Sequence, residues 1–288
     1  MNSFQDIPFQ KIVKFGQRTM LDRPLFNTSW ILGRFCNYNC NQFHWSFSGG
    51  EPTAYKQLLD LVKHLDETES SYQSIHMTTN LSPGSKWWNT WCTNTSLLQR
   101  RSITASFHDE FAKEQEFGDK CLQLMYELVH VTVNQVMVPE KFYELYERME
   151  RFHKRGINVT LKPQSDPTAS GIVDGYTEDM IHKMQTGFPQ RSNGEDIYQI
   201  ALYDDKKEYL FDQAERFNAF GFNKFTDWTC NAGYQSVIIR GTEVKRSYSC
   251  HDQSLGNILT GFDLFDTPKK CITPSCVSSA DSKIPKRK

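Results

Sequence analysis

The sequence predicts an α/β protein built on a parallel sheet, and three observations point to it. Six short runs with strand character, at 30–35, 44–48, 74–79, 101–107, 131–138 and 157–162, alternate for the most part with stretches of helical periodicity. Glycine and polar residues gather just after these runs, where a parallel α/β sheet presents its ligands. The length, 288 residues, suffices for one large domain and a small one with a sizeable core.

In chain order, residues 1–29 are mixed polar and aromatic with no sustained period, and read as an extension packed on the sheet. Trp30-Ile31-Leu32 is a strand-like run that leads into Cys36 and Cys40, separated by polar Asn37, Tyr38 and Asn39, a loop presenting two thiols. Phe47-Ser48 leads into Gly49 and Gly50, where the backbone can turn sharply and approach a ligand without Cβ atoms. Glu51 adds a negative charge and Pro52 stiffens the turn. Leu58, Leu59, Val62 and Leu65 form one face of a helix over 55–65. The next strand ends at Thr79-Asn80, the fourth at Ser106-Phe107-His108. A helix over 119–129 carries Cys121 on its apolar face with Leu124, Met125 and Leu128, which makes that cysteine a core residue. Cys92 follows the aromatic cluster Trp87, Trp88 and Trp91 and has no assigned role. A strongly periodic helix with Phe142, Leu145, Met149 and Phe152 inward closes at Gly156. Ser106, His108, Asn134, Lys162 and Gln164 stand at or near strand ends and are candidates to line a pocket. From 165 to 227 the chain is polar and reads as a connection with one or two helices, one across 206–220.

Charge and composition exclude several classes. A net charge of -1 and a pI near 6.7 argue against a nucleic-acid footprint. The basic tail Lys283-Ile284-Pro285-Lys286-Arg287-Lys288 reads as solvated. No apolar run approaches the roughly 18 residues of a membrane span, and no signal-peptide core opens the chain, so a cytoplasmic protein is expected. Eight cysteines without an export signal read as reduced thiols, hence metal ligands or buried side chains.

Cys36-x3-Cys40 followed by Gly49-Gly50-Glu51-Pro52 resembles the radical S-adenosylmethionine (SAM) family. The resemblance implies a six-stranded partial (β/α)6 barrel over 30–165 in which Cys36 and Cys40 bind a 4Fe-4S cluster. It also implies that Gly49, Gly50, Glu51 and Pro52 hold SAM, with Thr79, Asn80, Ser106 and Asn134 nearby. That family uses a third cysteine three residues after the second, and here the position is Phe43. Two cysteines hold such a cluster poorly, because its assembly depends on thiolate ligation. Parallel neighbours also need a crossover of a dozen or more residues, whereas only about eight separate the first two predicted strands. Either the chain is a degenerate member, or a segment carrying the third cysteine and the first helix is absent from the sequence just after Cys40 or Gln42.

The last part, 226–288, contains Cys230, Cys250, Cys271 and Cys276, with 19, 20 and 4 residues between them, around a β-hairpin centred on Arg240-Gly241-Thr242 and a short helix-like stretch at 262–265. Four thiols fit a structural zinc site or a fully ligated cluster. Cys230-Asn231-Ala232-Gly233 with Cys250 and Leu255-Gly256-Asn257-Ile258 resembles the twitch domain, a relative of the SPASM domain, and after a radical SAM core this implies an auxiliary 4Fe-4S cluster. The division implied is an extension to 29, a core over 30–165, connecting helices over 166–225 and the cluster domain over 226–288. The reaction implied is cleavage of SAM to a 5'-deoxyadenosyl radical that takes a hydrogen atom from substrate, with the auxiliary cluster either accepting an electron in a net oxidation or serving to stabilise the fold or bind substrate. An external electron donor such as flavodoxin or ferredoxin is implied, and the substrate is a small molecule or a peptide. The alternatives are a peptide-modifying maturase and a non-catalytic barrel that binds a partner or nucleotide and one metal.

Overall fold

A computed structural model gives the architecture. It describes residues 12–17, 26–31, 43–67, 73–167, 171–189, 199–203, 208–211, 221–250 and 253–288. Strand β1 (Ile12–Gln17) comes first, followed by β2 (Phe26–Ile31) and β3 (Phe43–Phe47). Helices then alternate with strands: α1 (Leu58–Glu67), β4 (Gln73–Thr79), α2 (Ser85–Thr93), β5 (Arg100–Ser106), α3 (Glu114–Tyr126), β6 (His130–Met137), α4 (Phe142–Lys154) and β7 (Asn158–Pro163). Helix α5 (Glu178–Thr186) and the pair β8 (Gln199–Tyr203) and β9 (Glu208–Phe211) form the connection. The C-terminal strands are β10 (Thr229–Cys230), β11 (Ser236–Arg240), β12 (Glu243–Lys245), β13 (Ser254–Asn257), β14 (Gly261–Phe262) and β15 (Lys269–Lys270). A helical turn α6 (Ser279–Ser282) and β16 (Lys286–Arg287) end the chain.

The protein is a mixed α/β fold. Strands β2 to β7 lie side by side and parallel in chain order, and the five from β3 to β7 alternate with α1 to α4. Helices form where apolar residues recur at helical spacing: α4 buries Phe142, Leu145, Met149 and Phe152. Those side chains meet the alternate residues of the sheet, Trp45 and Phe47 on β3, Ile75 and Met77 on β4, Ile103 and Ala105 on β5, to make one core. Phe107, Phe117 and Phe152 pack edge-on around it, with ring centroids 5.0 to 5.9 Å apart. Cys92 and Cys121 are buried on this helical side, and burial pushes the Cys121 thiol up to about 12. Cys121 is a core residue, as its helical spacing predicts.

Several boundaries differ from the sequence expectations. The first core strand spans Phe26–Ile31 rather than 30–35, so Trp30-Ile31 marks its exit and the core sheet begins inside the expected extension. Within the predicted helix across 206–220, Glu208–Phe211 is instead a strand, because it pairs antiparallel with β8. The hairpin at Gly241 forms, with Gly241 at φ 63° between paired Arg240 and Glu243. The expected helix-like stretch at 262–265 is not helical, because Gly261–Phe262 pairs with β13. The C-terminal strands also do more than form a local hairpin: β11 adds to β2 in parallel, so β11 to β14 continue the core sheet. Strand β1 pairs with β8 and with β16, in a second sheet ordered β15-β10-β16-β1-β8-β9. Among the described residues no helix is long and apolar enough to cross a membrane.

Phe152 is fully buried at the centre of the aromatic group. Phe152→Ala is expected to cost about 3–5 kcal/mol of stability, through lost burial and the cavity left behind, as read by urea unfolding.

Candidate functional site

Two groups of polar residues stand out, one at the carboxyl edge of the parallel sheet and one in the C-terminal unit. At the edge, Gly49 and Gly50 follow β3 with φ of 90° and 55°, the left-handed region that glycine enters without strain. A Cβ built on Gly50 meets nothing within 4 Å, so the requirement there is one of backbone conformation, not of space. Glu51 follows, and its carboxylate is the organising group. Its Oε1 accepts hydrogen bonds from the Thr53 amide (3.1 Å), the Thr53 hydroxyl (2.7 Å) and the Thr79 hydroxyl (2.7 Å). Its Oε2 accepts from the Asn80 amide at 2.7 Å, and that oxygen can take one further donor.

The neighbours divide into scaffold and pocket. Pro52 is buried at the start of a one-turn helix that Glu51 caps. Thr79 is buried, and its hydroxyl accepts from the Leu81 amide while donating to Glu51, so it braces the turn. Asn80 uses Oδ1 to accept from the Ser82 amide, the turn-forming role open to asparagine. Ser106 and Asn134 are paired in register on β5 and β6, and Asn134 with Thr160 on β7. Asn134 Oδ1 is buried and has no hydrogen-bond partner among the described residues. His108 is exposed on the following loop, and Lys162 is partly buried farther along the sheet. Gln164 is tied down by its amide, which donates to the Tyr176 hydroxyl at 2.8 Å. Cys36 and Cys40 lie outside the described residues. Ile31, the last residue of β2, stands at this same edge, because its neighbour Trp30 pairs with Phe47. Phe43 lies at the other end: it is the first residue of β3, paired with Phe26 and Gln73, roughly 13 Å of strand from Phe47. Phe43 therefore lies a strand's length from the Gly49-Gly50-Glu51 turn.

In the C-terminal unit Cys230, Cys250, Cys271 and Cys276 are all buried and free. Main-chain bonds fix their places: the Cys271 amide donates to the Trp228 carbonyl and the Cys276 amide to the Asn223 carbonyl, both at 2.7 Å. Burial raises the Cys276 thiol, and nearby Asp281, Cys230 and Cys271 push the same way against Lys286. Burial also raises Cys250, with Cys230 contributing. The four thiols thus share one neighbourhood, and the Ala232 amide already points at Cys230 Sγ from 3.5 Å. No three His, Cys, Asp or Glu side chains among the described residues are drawn closely enough together to form a finished metal cage. Four cysteine thiols are a donor set that suits zinc or an iron-sulfur cluster.

Sequence reasoning missed two features. Buried Arg246 staples this unit: its guanidinium donates to the carbonyls of Ala232, Lys269 and Lys270 and to Gln253 Oε1, at 2.9 to 3.1 Å. Nothing local in the sequence marks it. The second is the polar face of the parallel sheet, opposite the helices. There His44 Nδ1 lies 2.8 Å from Ser74 Oγ, His76 Nδ1 2.9 Å from Ser102 Oγ and His76 Nε2 3.2 Å from Thr104 Oγ1. Burial, then the charges of Lys283 and Arg100, pull His44 down to about 3 and His76 well below the usual histidine range. The signal was present as polar residues at every second position of otherwise apolar strands.

Compared with known proteins, the chain has no match: no family model, no curated protein and no solved structure matches it.

Two outcomes follow from these contacts. Glu51→Gln puts an amide donor where four donors already point, so about 1–3 kcal/mol of stability should be lost, with faster hydrogen exchange at the Asn80 amide. His44 and His76 stay neutral in the fold but take up protons near pH 6.5 when unfolded, so acid favours unfolding. Stability should fall as the pH drops below about 6.5, by up to about 1.4 kcal/mol per pH unit for each histidine, and His76→Gln should reduce that slope in urea titrations across the range.

Proposed function

We propose that this chain is a radical SAM enzyme whose SAM site lies at the carboxyl edge of the parallel sheet. In this reading the sheet is the family's partial barrel, and Cys230, Cys250, Cys271 and Cys276 are the ligands of an auxiliary 4Fe-4S cluster. The observation that carries it is convergence on one edge. Strand β2 exits there toward Cys36, beside Gly49-Gly50-Glu51 and the row of Ser106 and Asn134.

The chain's own residues divide the work of binding. Glu51 Oε2 has room for one donor from the amino group of SAM, while Oε1 is committed to holding β3 and β4 together. Ser106 offers a hydroxyl and Asn134 an unused acceptor to the rest of the ligand. When bound, the core cluster and SAM supply the 5'-deoxyadenosyl radical that takes a hydrogen atom from substrate. The protein orients the substrate carbon and excludes water. An external donor such as flavodoxin or ferredoxin and a cytoplasmic setting belong to the same proposal.

The incomplete core ligand set has a topological counterpart. Between β2 and β3 lie residues 32–42, eleven in all, whereas the other four crossovers, 48–72, 80–99, 107–129 and 138–157, run 20 to 25 residues and each contains a helix. A segment missing between Cys40 and Phe43 that carries a third cysteine and a helix accounts for both departures. The second reading, a non-catalytic barrel that binds a partner or nucleotide, rests on Phe43 and on the two core thiols that the sequence provides.

Iron, sulfide and electron paramagnetic resonance on anaerobically reconstituted protein, with and without SAM, separate the two. Two clusters, about eight irons per chain, with one signal perturbed by SAM, are expected for the enzyme. A single SAM-insensitive cluster, or none, sinks it. Cys36→Ala should abolish SAM cleavage, while Cys271→Ala should leave uncoupled cleavage and lose product; equal complete loss in both contradicts separate roles.

A further inference from the structure

Parallel sheets are ordinarily apolar on both faces, because helices cover both. Here only one face is. On the other, the register sets Ser46, His76, Ser102 and His130 in one row across β3 to β6. The next row toward the carboxyl edge is Thr78, Thr104, Thr132 and Asn158, and above it lie Ser106, Asn134 and Thr160. No apolar and no acidic residue interrupts these rows. His44 and His76 are partly exposed on this face.

We propose that this face, immediately below the SAM edge, is the substrate site and that it takes a small polyhydroxylated molecule bearing an anionic group. The argument rests on what the rows can bind. Ser46, Thr78, Ser106, Thr132 and Thr160 carry hydroxyls with no hydrogen-bond partner among the described residues, and each can donate or accept, so a ligand that satisfies them must itself carry many hydrogen-bonding groups in a small area. Ser74 holds His44 through Nδ1, and Ser102 and Thr104 occupy both ring nitrogens of His76, so the two rings are fixed in orientation within the sheet. A peptide substrate needs apolar recesses for its side chains, and these rows contain none. The sign of the charge comes from the surroundings: Arg100 closes the amino end beside Ser74, Lys283 lies near enough to weigh on both imidazoles, and Lys162 stands on the same face of β7. Asn134 Oδ1, buried and unpartnered among the described residues, supplies an acceptor where this face meets the SAM edge.

The inference deepens the SAM-enzyme reading, but its test does not need SAM. Calorimetric titration of the full chain with glucose 6-phosphate, glucuronate and glucose supplies the probes. Binding of at least one anionic sugar in preference to glucose is expected. Thr132→Val removes a hydroxyl that has no hydrogen-bond partner among the described residues, with little change of shape, and should weaken that binding by about tenfold. Lys283→Gln should erase the preference over glucose, and both variants should keep the wild-type melting temperature and SAM affinity. No binding of either anionic sugar at millimolar concentration, or binding indifferent to both substitutions, overturns the proposal. Sugar binding without any SAM binding leaves this inference standing and defeats the SAM-enzyme reading alone.

Discussion

The Glu51 carboxylate accepts four hydrogen bonds from Thr53, Thr79 and Asn80, and the geometry of the whole carboxyl edge follows from it. A parallel pair such as β3 and β4 has no hairpin to fix its ends, since a 25-residue crossover joins them. The carboxylate replaces that missing turn: it fastens the chain just after β3 to the chain just after β4. Two glycines at positive φ bring it into position, and buried Pro52 prevents the turn from relaxing. Ser106 and Asn134 then take their places through strand pairing alone.

The same sheet is unusual in its two faces. Trp45, Ile75, Ile103, Val131 and Val159 pack against helices, while their sequence neighbours are serine, threonine, histidine and asparagine. A parallel strand buried on both sides gains stability from apolar residues at every position. Giving up half of that gain makes physical sense only where the second face meets something polar. The hydroxyl-imidazole pairs limit the cost, because His44 and His76 find partners within the sheet rather than facing it unpaired.

How much of this was legible depended on whether the information is local. The strands from 44 to 162 and three of the helices between them announce themselves by periods of two and 3.6, and the sequence boundaries fall within a few residues of β3 to β7, whereas α2, built around Trp87, Trp88 and Trp91, was not expected. Thr177 caps α5 through its side chain, which accepts from the Met180 amide. Long-range pairing was not legible. Nothing in Ile12–Gln17 says that it will meet Lys286 and Gln199, and nothing in Ser236–Arg240 says that it will extend β2. Short strands of two to four residues, such as β9 and β14, have no periodicity of their own and exist because a neighbour is there to pair with. Of the candidate residues, Glu51 keeps acceptor capacity on Oε2 and Asn134 Oδ1 is buried without a partner among the described residues, while Thr79 and Pro52 serve the scaffold.

The first crossover connects these threads. Strands β2 and β3 are in register from Phe26↔Phe43 to Trp30↔Phe47, so the chain leaving Ile31 must return the full length of a strand before it can re-enter at Phe43. Only eleven residues, 32–42, make that connection, against 20 to 25 in each of the other four crossovers, every one of which contains a helix. Cys36 and Cys40 both fall in this short connection. Its length sets it apart, because parallel neighbours ordinarily take a crossover of a dozen or more residues, and the register of β2 with β3 makes the two parallel neighbours.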